Sequence, residues 1–297
     1  MQTQDSPIPD DPNKKYSRPE FSTPKQDAPG TEEMMQPKAD HGEQSYRGCD
    51  KLVDRVALIT GADSGIGRAV ALAYAREGAD VAFTYLEEEA DAKETERLIV
   101  ESGRKALPLR SDQSDRENCE AVIEQVIEHF GRIDILVNNA AFQRTYSSLK
   151  DIPEDELRHV FKTNIESFFY LSRSALGQMR YGSSIINTTS IQAFSPSASL
   201  APYAATKAAI ANFTLSLAQE AIEKGVRVNA VAPGPVWTPL IPATMPKEAV
   251  ESFGKNTLFG RPAQPAELAP VYVFLASEDS SYVTSEIYGV TGGRKQL

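Results

Sequence analysis

From Leu52 to the end of the chain, short apolar segments alternate with longer amphipathic ones, and this alternation constrains the fold more than any other feature. The short segments have strand length and are apolar throughout, which is typical of strands buried on both faces of a parallel sheet. Seven strands are predicted, at Arg55–Thr60, Asp80–Tyr85, Lys105–Arg110, Ile133–Asn138, Ser184–Thr189, Arg227–Ala232 and Glu286–Val290. Helices are predicted between them, among others at Ile66–Glu77, Glu89–Glu101, Arg116–Phe130, Glu154–Met179 and Pro202–Glu223.

Residues 51–297 are therefore expected to form one α/β domain of the doubly wound, Rossmann type. Its seven-stranded parallel sheet would carry helices on both faces. A lid is expected at about residues 240–260. The large apolar residues of that segment fit either the wall of a pocket or the core, and the sequence does not separate the two: Leu240, Ile241, Met245, Phe253, Leu258 and Phe259.

Residues 1–50 have a different composition, with seven prolines and almost no aliphatic side chains. Such a segment buries too little apolar surface to offset the entropy that ordering costs. The simpler interpretation is a disordered, polar, proline-rich extension. The alternative is an extended arm that packs on a neighbouring subunit.

Charge and composition exclude several classes of function. The formal net charge of −10 disfavours nucleic acid or an anionic membrane as the main partner. Two cysteines and three histidines show no disulfide framework and no metal-ligand spacing, so no metal site is expected. No apolar run reaches the ~18 residues of a membrane helix, and the N-terminus does not resemble a signal peptide. A cytoplasmic location is expected.

A glycine-rich turn follows the first predicted strand, in the sequence Thr60-Gly61-Ala62-Asp63-Ser64-Gly65-Ile66-Gly67. A strand that leads through glycines into a helix is the arrangement that holds a dinucleotide's diphosphate. Gly61 permits the turn, Gly65 lets the backbone approach phosphate, and Gly67 lets the helix lie close to the sheet. Glycines at such a junction also occur as plain turn residues, so the spacing alone leaves both interpretations open.

A second set of residues suggests proton transfer. Tyr203 and Lys207 lie one helical turn apart, and a nearby ammonium favours the phenolate form of a tyrosine. Ser190 ends the strand that precedes them, and Asn138 ends the strand before that. Ligands of open α/β sheets bind at the carboxyl ends of the strands, so these residues are expected at one site. Asn164 lies within a predicted helix and needs polar partners if it is buried.

Together these residues resemble the short-chain dehydrogenase/reductase family over residues 52–297. The matching pieces occur in the family's order and spacing, and they are Thr60–Gly67, Asn138–Ala141, Asn164, Ser190, Tyr203 with Lys207, and Pro233-Gly234. The chain is most similar to the branch of glucose/ribitol dehydrogenase homologues and general-stress oxidoreductases, which also carry a polar, proline-rich extension. Ala141, where many members have glycine, and Arg180-Tyr181 are small departures.

The resemblance implies an NAD(P)(H)-dependent oxidoreductase that transfers hydride between nicotinamide and a carbonyl or alcohol group. Tyr203 would be the general acid and base, Lys207 would lower its pKa and hold the nicotinamide ribose, and Ser190 would position the substrate oxygen. Asn164 would hold a water that links Lys207 to solvent. The cofactor-binding residues it implies are Gly61, Ser64, Gly65, Ile66, Gly67, Tyr85, Asp112, Asn138, Ala140, Tyr203, Lys207, Pro233, Gly234, Val236 and Thr238. Of these, Asp112 would contact adenine, and Val236 and Thr238 the carboxamide.

The turn after the second strand is expected to decide between NAD(H) and NADP(H). Glu87, Glu88 and Glu89 stand there, with no basic residue before Lys93. Because carboxylates repel a 2′-phosphate and accept a hydrogen bond from a 2′-hydroxyl, the segment favours NAD(H) over NADP(H). The alternative is that these glutamates only begin a solvated helix.

The predicted helices 154–179 and 202–223 carry apolar residues around more of their circumference than a sheet face covers, which indicates a partner. In the family the corresponding helices form the interface of tetramers, so a homotetramer is expected. A nucleotide-binding sensor or scaffold without catalysis is the alternative function. An epimerase or dehydratase would need a longer C-terminal substrate domain, and a zinc alcohol dehydrogenase would need metal ligands. The substrate stays open among aldehydes, ketones, sugars and polyols.

Overall fold

The computed structural model describes residues 11–294, and seven parallel strands form its single sheet in the order β3-β2-β1-β4-β5-β6-β7. The strands are β1 (Val56–Ile59), β2 (Asp80–Tyr85), β3 (Ala106–Arg110), β4 (Ile135–Asn138), β5 (Ser184–Thr188), β6 (Arg227–Pro233) and β7 (Ile287–Val290). Every predicted strand is present, and its ends lie within two residues of the prediction. The strand order reverses direction between β1 and β4, which confirms the doubly wound α/β fold.

Nine α-helices connect or flank these strands within the described residues. They are α1 (Gly65–Arg76), α2 (Glu89–Glu101), α3 (Arg116–Phe130), α4 (Glu154–Phe161), α5 (Ser167–Gln178), α6 (Ala201–Ala221), α7 (Leu240–Thr244), α8 (Lys247–Glu251) and α9 (Ala269–Ala276). The predicted helix over 154–179 is divided, because a π-helical turn at Lys162–Glu166 separates α4 from α5. Such turns insert a residue into a helix and are frequent at functional sites.

Side chains of each strand point alternately into two cores on opposite faces of the sheet. On one face Ile59 and Phe83 pack with residues of α1, α2 and α9. On the other face Leu58 and Ile185 pack with residues of α3, α5 and α6. The continuous apolar strands of the sequence are explained by this double burial.

The predicted lid contains α7 and α8 and lies over the carboxyl ends of the strands. Leu240, Ile241, Met245 and Phe253 face the cleft beneath it. Leu258, by contrast, is 84% exposed. Four of the six apolar residues left open by the sequence therefore belong to the pocket wall.

Residues 11–50, which we call the arm, contain no helix or strand and lie against the domain of the same chain. Phe21 and Met35 of the arm are buried against Trp237, with the rings of Phe21 and Trp237 4.2 Å apart. The indole Nε1 of Trp237 donates to the carbonyl of Pro37 at 2.8 Å. In the structure these forty residues lie along the domain of the same chain, whereas the first ten lie outside the described part. The disorder expected from composition stays a prediction. Packing on a neighbouring subunit stays a prediction.

Polar side chains of the domain hold the end of the arm. Arg76 donates to the carbonyls of Gly42, Glu43 and Tyr46 at 2.7–2.8 Å. Glu77 accepts hydrogen bonds from the hydroxyl of Tyr46 and from the backbone N–H of Cys49 and Lys51. Hydrogen bonds to backbone groups, rather than burial of aliphatic side chains, supply most of the contacts between the arm and the domain. Composition alone does not reveal contacts of this kind.

Candidate active site

A cleft of about 500 Å³ opens at the carboxyl ends of the strands, between the turn after β1 and the lid. Fourteen of the predicted site residues line it, namely Gly61, Ser64, Gly65, Ile66, Tyr85, Asp112, Ala140, Ser190, Tyr203, Lys207, Pro233, Gly234, Val236 and Thr238. Gly67, Asn138 and Asn164 lie outside the lining. The topology thus brings together residues that are up to 177 positions apart in the sequence, since Gly61 and Thr238 share one wall.

The glycine-rich turn has the conformation that an anion site requires. Gly61 and Gly65 have positive φ angles of 62° and 52°. A Cβ atom on Gly67 would lie 2.2 Å from the carbonyl oxygen of Gly61, so this glycine serves the contact between α1 and the turn rather than the cleft. Within residues 11–294, the backbone N–H groups of Ile66 and Gly67 have no protein acceptor. Together with the partial positive charge at the start of α1, they fit a dinucleotide's diphosphate.

The loop after β4 is held against this turn by Thr60. Its hydroxyl oxygen accepts from the N–H groups of Asn139 and Ala140 at 2.9 and 3.0 Å. The side chain of Asn139 donates to the carbonyls of Thr60 and Gly61. Asn138, assigned above to the cofactor, instead lies in the core, where it donates to Ser172 and Asn187. Because side chains of a strand alternate between faces, Asn139 rather than Asn138 reaches the cleft.

The proposed proton-transfer residues lie together on one wall. Lys207, which is buried on α6, donates from Nζ to the carbonyl of Thr188 at 2.8 Å. The same Nζ lies 5.4 Å from the ring centroid of Tyr203. The side chain of Ser190, just after β5, interacts with the hydroxyl of Tyr203 and lowers its pKa. Tyr203, Ser190 and Lys207 therefore form one connected group.

Burial shifts the pKa values of this group. Although Tyr203 is partly exposed in the cleft, desolvation by the surrounding protein raises its pKa to about 12, and the hydrogen bond with Ser190 opposes this shift. Desolvation lowers the pKa of Lys207 to about 7. Near neutral pH the phenol is therefore protonated, and the ammonium expected to favour the phenolate is only about half formed.

Asn164 is fully buried in the π-helical turn between α4 and α5. Its Oδ1 accepts from the N–H of Phe142 at 2.7 Å, and its Nδ2 donates to the carbonyl of Phe142 and to Thr206. The side chain thus fastens the loop after β4 to α6, next to Lys207. Both hydrogens of its amide group are used in these contacts, and its oxygen atoms keep acceptor capacity for a water. The water that the resemblance implies stays a prediction.

Two carboxyl groups that the sequence analysis did not assign line the cleft near the end of β2. Asp63 and Glu88 are 7% and 9% exposed. Desolvation, and next the charge of Glu88, raise the pKa of Asp63 to about 7. Asp63 lies inside the glycine-rich motif and Glu88 among the three glutamates, so both signals were present in the sequence. Pro29 of the arm also lines the cleft, and nothing in its composition indicated this.

The family model described as enoyl-(acyl carrier protein) reductase matches residues 61–295. A solved short-chain dehydrogenase from Burkholderia cenocepacia J2315, in complex with NADP, superposes with a TM-score of 0.77 at 30% identity, covering 82% of this chain and 98% of that one. The chain belongs to the short-chain dehydrogenase/reductase family.

Two curated relatives place the chain more narrowly. The glucose and ribitol dehydrogenase of Daucus carota is 47% identical over 92% of this chain and 97% of its own. The NADPH-dependent aldehyde reductase 1, chloroplastic, of Arabidopsis thaliana is 48% identical over 89% and 94%. The branch suggested by the sequence motifs is confirmed. The protein is an NAD(P)(H)-dependent oxidoreductase of carbonyl and alcohol groups.

Within residues 11–294 there is no helix with the length and apolarity to cross a membrane. The same residues contain no cluster of three or more side chains that could hold a metal ion.

Proposed function

We propose that Tyr203 exchanges the proton with the substrate oxygen while Ser190 holds that oxygen and Lys207 supports both Tyr203 and the nicotinamide ribose. The observation that carries this assignment is the convergence of the three side chains on one wall of the cleft. A bound nicotinamide dinucleotide supplies or accepts the hydride.

In the reducing direction the protein's work is placement and proton supply. The Ser190 hydroxyl, already paired with the Tyr203 hydroxyl, directs a carbonyl oxygen to that proton. A pKa of about 12 keeps the Tyr203 proton in place until negative charge develops on the substrate oxygen. Protonation of Lys207, 5.4 Å from the ring, stabilises the phenolate left behind. Oxidation of an alcohol requires the phenolate at the start and is therefore favoured at alkaline pH.

The cofactor assigned in this proposal is NADP(H). The Burkholderia structure is in complex with NADP and the Arabidopsis relative is NADPH-dependent, so the preference for NAD(H) expected from the glutamates has no support. Burial and the charge of Glu88 raise the pKa of Asp63 to about 7, so near neutral pH this carboxyl group carries only part of its negative charge and repels a 2′-phosphate less. Glu88 still limits this affinity, and Glu88→Gln is expected to raise kcat/KM for NADPH relative to NADH.

Polar and apolar side chains both line the cleft. Gln143, Gln192 and Ser197 line it together with Leu240 of the lid, and Gln143 donates to the hydroxyl of Thr244 in α7 at 3.0 Å. This lining supports a small aldehyde, ketone, sugar or polyol that has both a hydrophobic and a hydroxylated side. Initial rates on a panel of such compounds identify the preferred class.

We also propose a homotetramer in the cytoplasm. Five large apolar residues of these two helices are buried within the chain, namely Ile165, Phe168, Leu171, Ile210 and Leu217. Phe169 on α5, however, is 50% exposed, and Leu215 on α6 is 38% exposed. The rings of Phe169 and Phe213 stack at 4.0 Å beside a groove between these helices. Light scattering at micromolar concentration tests the mass. Both cysteines are thiols without a disulfide, as in a reducing compartment.

Replacing Tyr203 by phenylalanine tests the central assignment. Tyr203→Phe keeps the ring and removes the proton carrier, so turnover should fall about 10³-fold or more while NADPH still binds. Binding is followed by NADPH fluorescence and turnover by its absorbance. A non-catalytic dinucleotide sensor would instead show no turnover in the parent enzyme, and a Tyr203→Phe enzyme as active as the parent would refute the role of Tyr203.

A further inference from the structure

A carboxylate of the arm reaches the glycine-rich turn. Oε1 of Glu32 accepts a hydrogen bond from the backbone N–H of Gly65 at 2.8 Å. Glu32 is 6% exposed, and its own backbone N–H donates to Asp91 on α2 at 2.9 Å. Asp91 in turn pairs with Arg68 of α1 at 3.2 Å. The arm thus makes both backbone and side-chain contacts at the start of α1.

His41 gives the Glu32 carboxylate a partner. Its Nε2 lies 2.9 Å from the same Oε1, and its Nδ1 lies 3.0 Å from Glu43. His41 is 3% exposed. Hydrogen bonds to Glu32 and Glu43 outweigh burial and the nearby Arg68, and they raise the pKa of His41 to about 9. At neutral pH, Glu32 and His41 are therefore a buried ion pair.

The carboxylate does not occupy the place of a ligand. Gly65 lines the cleft, whereas Glu32 and His41 do not, so they touch the turn from behind. The next two amides, those of Ile66 and Gly67, have no protein acceptor within residues 11–294. Glu32 therefore binds the Gly65 amide, while Thr84 holds the amides of Gly61 and Ala62, and the cleft side of the turn stays open.

We propose that Glu32 is a positioning residue for the cofactor: it fixes Gly65 so that the amides of Ile66 and Gly67 meet the diphosphate, and His41 neutralises its charge there. The neutral pair matters because an unpaired carboxylate behind the turn would repel the diphosphate through a poorly solvated region. Hydride and proton transfer do not themselves require the contact of Glu32 and His41 with the turn, because both residues belong to the arm and not to the sheet domain.

The experiment measures the Kd for NADPH and for NADH by fluorescence, on the full-length protein. Glu32→Ala removes the acceptor for the Gly65 amide and should raise Kd about tenfold, the effect of losing one hydrogen bond to a charged group. Glu32→Gln keeps an acceptor and should stay within about threefold of the parent. Glu33→Ala is the matched control, because Glu33 is the exposed neighbour on the same segment.

His41→Gln removes the positive charge beside Glu32 and keeps the hydrogen bond between Glu32 and the Gly65 amide. It leaves Glu32 as an unpaired carboxylate behind the turn, so Kd should rise about tenfold or more. The double variant Glu32→Gln/His41→Gln removes both charges and should return to within about threefold of the parent, although it carries one more substitution. Rescue by a second substitution is not expected of residues that only stabilise the fold.

Kinetics provide the second measurement. In Glu32→Ala the KM for the cofactor should rise while kcat at saturating cofactor and KM for the carbonyl substrate stay within twofold. Circular dichroism and melting confirm that each variant is folded, since Trp237 and Arg76 still hold the arm. Kd within twofold of the parent in both Glu32→Ala and His41→Gln, an equal change in Glu33→Ala, or a double variant as weak as His41→Gln would each overturn the proposal. These binding outcomes do not depend on the role of Tyr203.

Discussion

The sheet domain and the arm are held together by different means. In the domain, aliphatic side chains of seven strands pack with helices in two continuous cores. In the arm, two large apolar anchors, Phe21 and Met35, are supplemented by hydrogen bonds between side chains and backbone. One region is stabilised by many similar contacts and the other by a few separate ones.

The two regions therefore differ in how far the destabilising effect of a single substitution extends. A substitution in the domain core destabilises the whole molecule, because every strand shares those contacts. We expect the domain to stay folded when the arm detaches, so a substitution in the arm should cost no more than the free energy of docking the arm. The arm is therefore a local unit placed beside the cofactor turn.

The largest effect on stability is expected for Ile186→Ala. Ile186 is fully buried at the centre of β5. The cavity should lower the free energy of unfolding by about 3 kcal/mol, as measured by urea denaturation. The comparison fails if this loss is smaller than that caused by any single arm substitution.

Deletion of residues 1–48 measures the largest loss of stability that any change in the arm can cause. The shortened protein should fold and turn over substrate, with a lower melting temperature and a Kd for NADPH raised about tenfold through the loss of Glu32. Calorimetry should show one transition for the domain. A deletion variant that does not fold at any concentration would show that the two regions form one unit.

Phe21→Ala tests whether one substitution in the arm costs less free energy than the loss of the whole arm. Loss of the contact with Trp237 should destabilise the protein by less than the deletion does. Combined with Glu32→Ala, its effect should be less than additive, because both substitutions release the same segment. Full additivity in denaturant melts would contradict independent docking.

The smallest effect is expected from pH. The pKa of His41 in the folded protein, about 9, lies above its usual 6.5, so its contribution is complete below pH 6.5 and is lost as pH rises through 9. Asp63 and Lys207 titrate near pH 7, so the comparison starts above that range. Kd for NADPH should rise about threefold between pH 8 and pH 10. Glu32→Gln/His41→Gln should lack this rise. A parallel rise in that variant would assign the effect to other groups, such as Lys207.

Most of the fold was predictable because strand and helix periods are local properties. β2, α2 and α3 have the predicted ends, and the catalytic residues follow from motif spacing. Asn138 was misplaced by one position because adjacent strand residues face opposite sides. The π-helical turn around Asn164 depends on its tertiary contacts with Phe142 and Thr206, which no local pattern shows.

The contacts of the arm and the charge of the carboxyl groups in the cleft were harder to predict from the sequence. Seven prolines suggest disorder, but the arm contacts Arg76 at the end of α1 and Glu77 just after it, and sequence statistics do not pair these residues with the arm. The preference for NAD(H) assumed full charge on every carboxylate. A pKa of about 7 for Asp63 arises only from burial and from the proximity of Glu88.

The arm leaves the ribosome before any of the residues that hold it. Pro37 binds the indole of Trp237, which is synthesised 200 residues later, and Asp40 binds Gln264, which is 224 residues later. Because contacts of such separation form late, these two contacts cannot form until most of the chain has been synthesised. The contacts of Glu32 with Gly65 and Asp91, by contrast, span only 33 and 59 residues, so the arm can meet the turn that receives the diphosphate long before those two distant anchors exist.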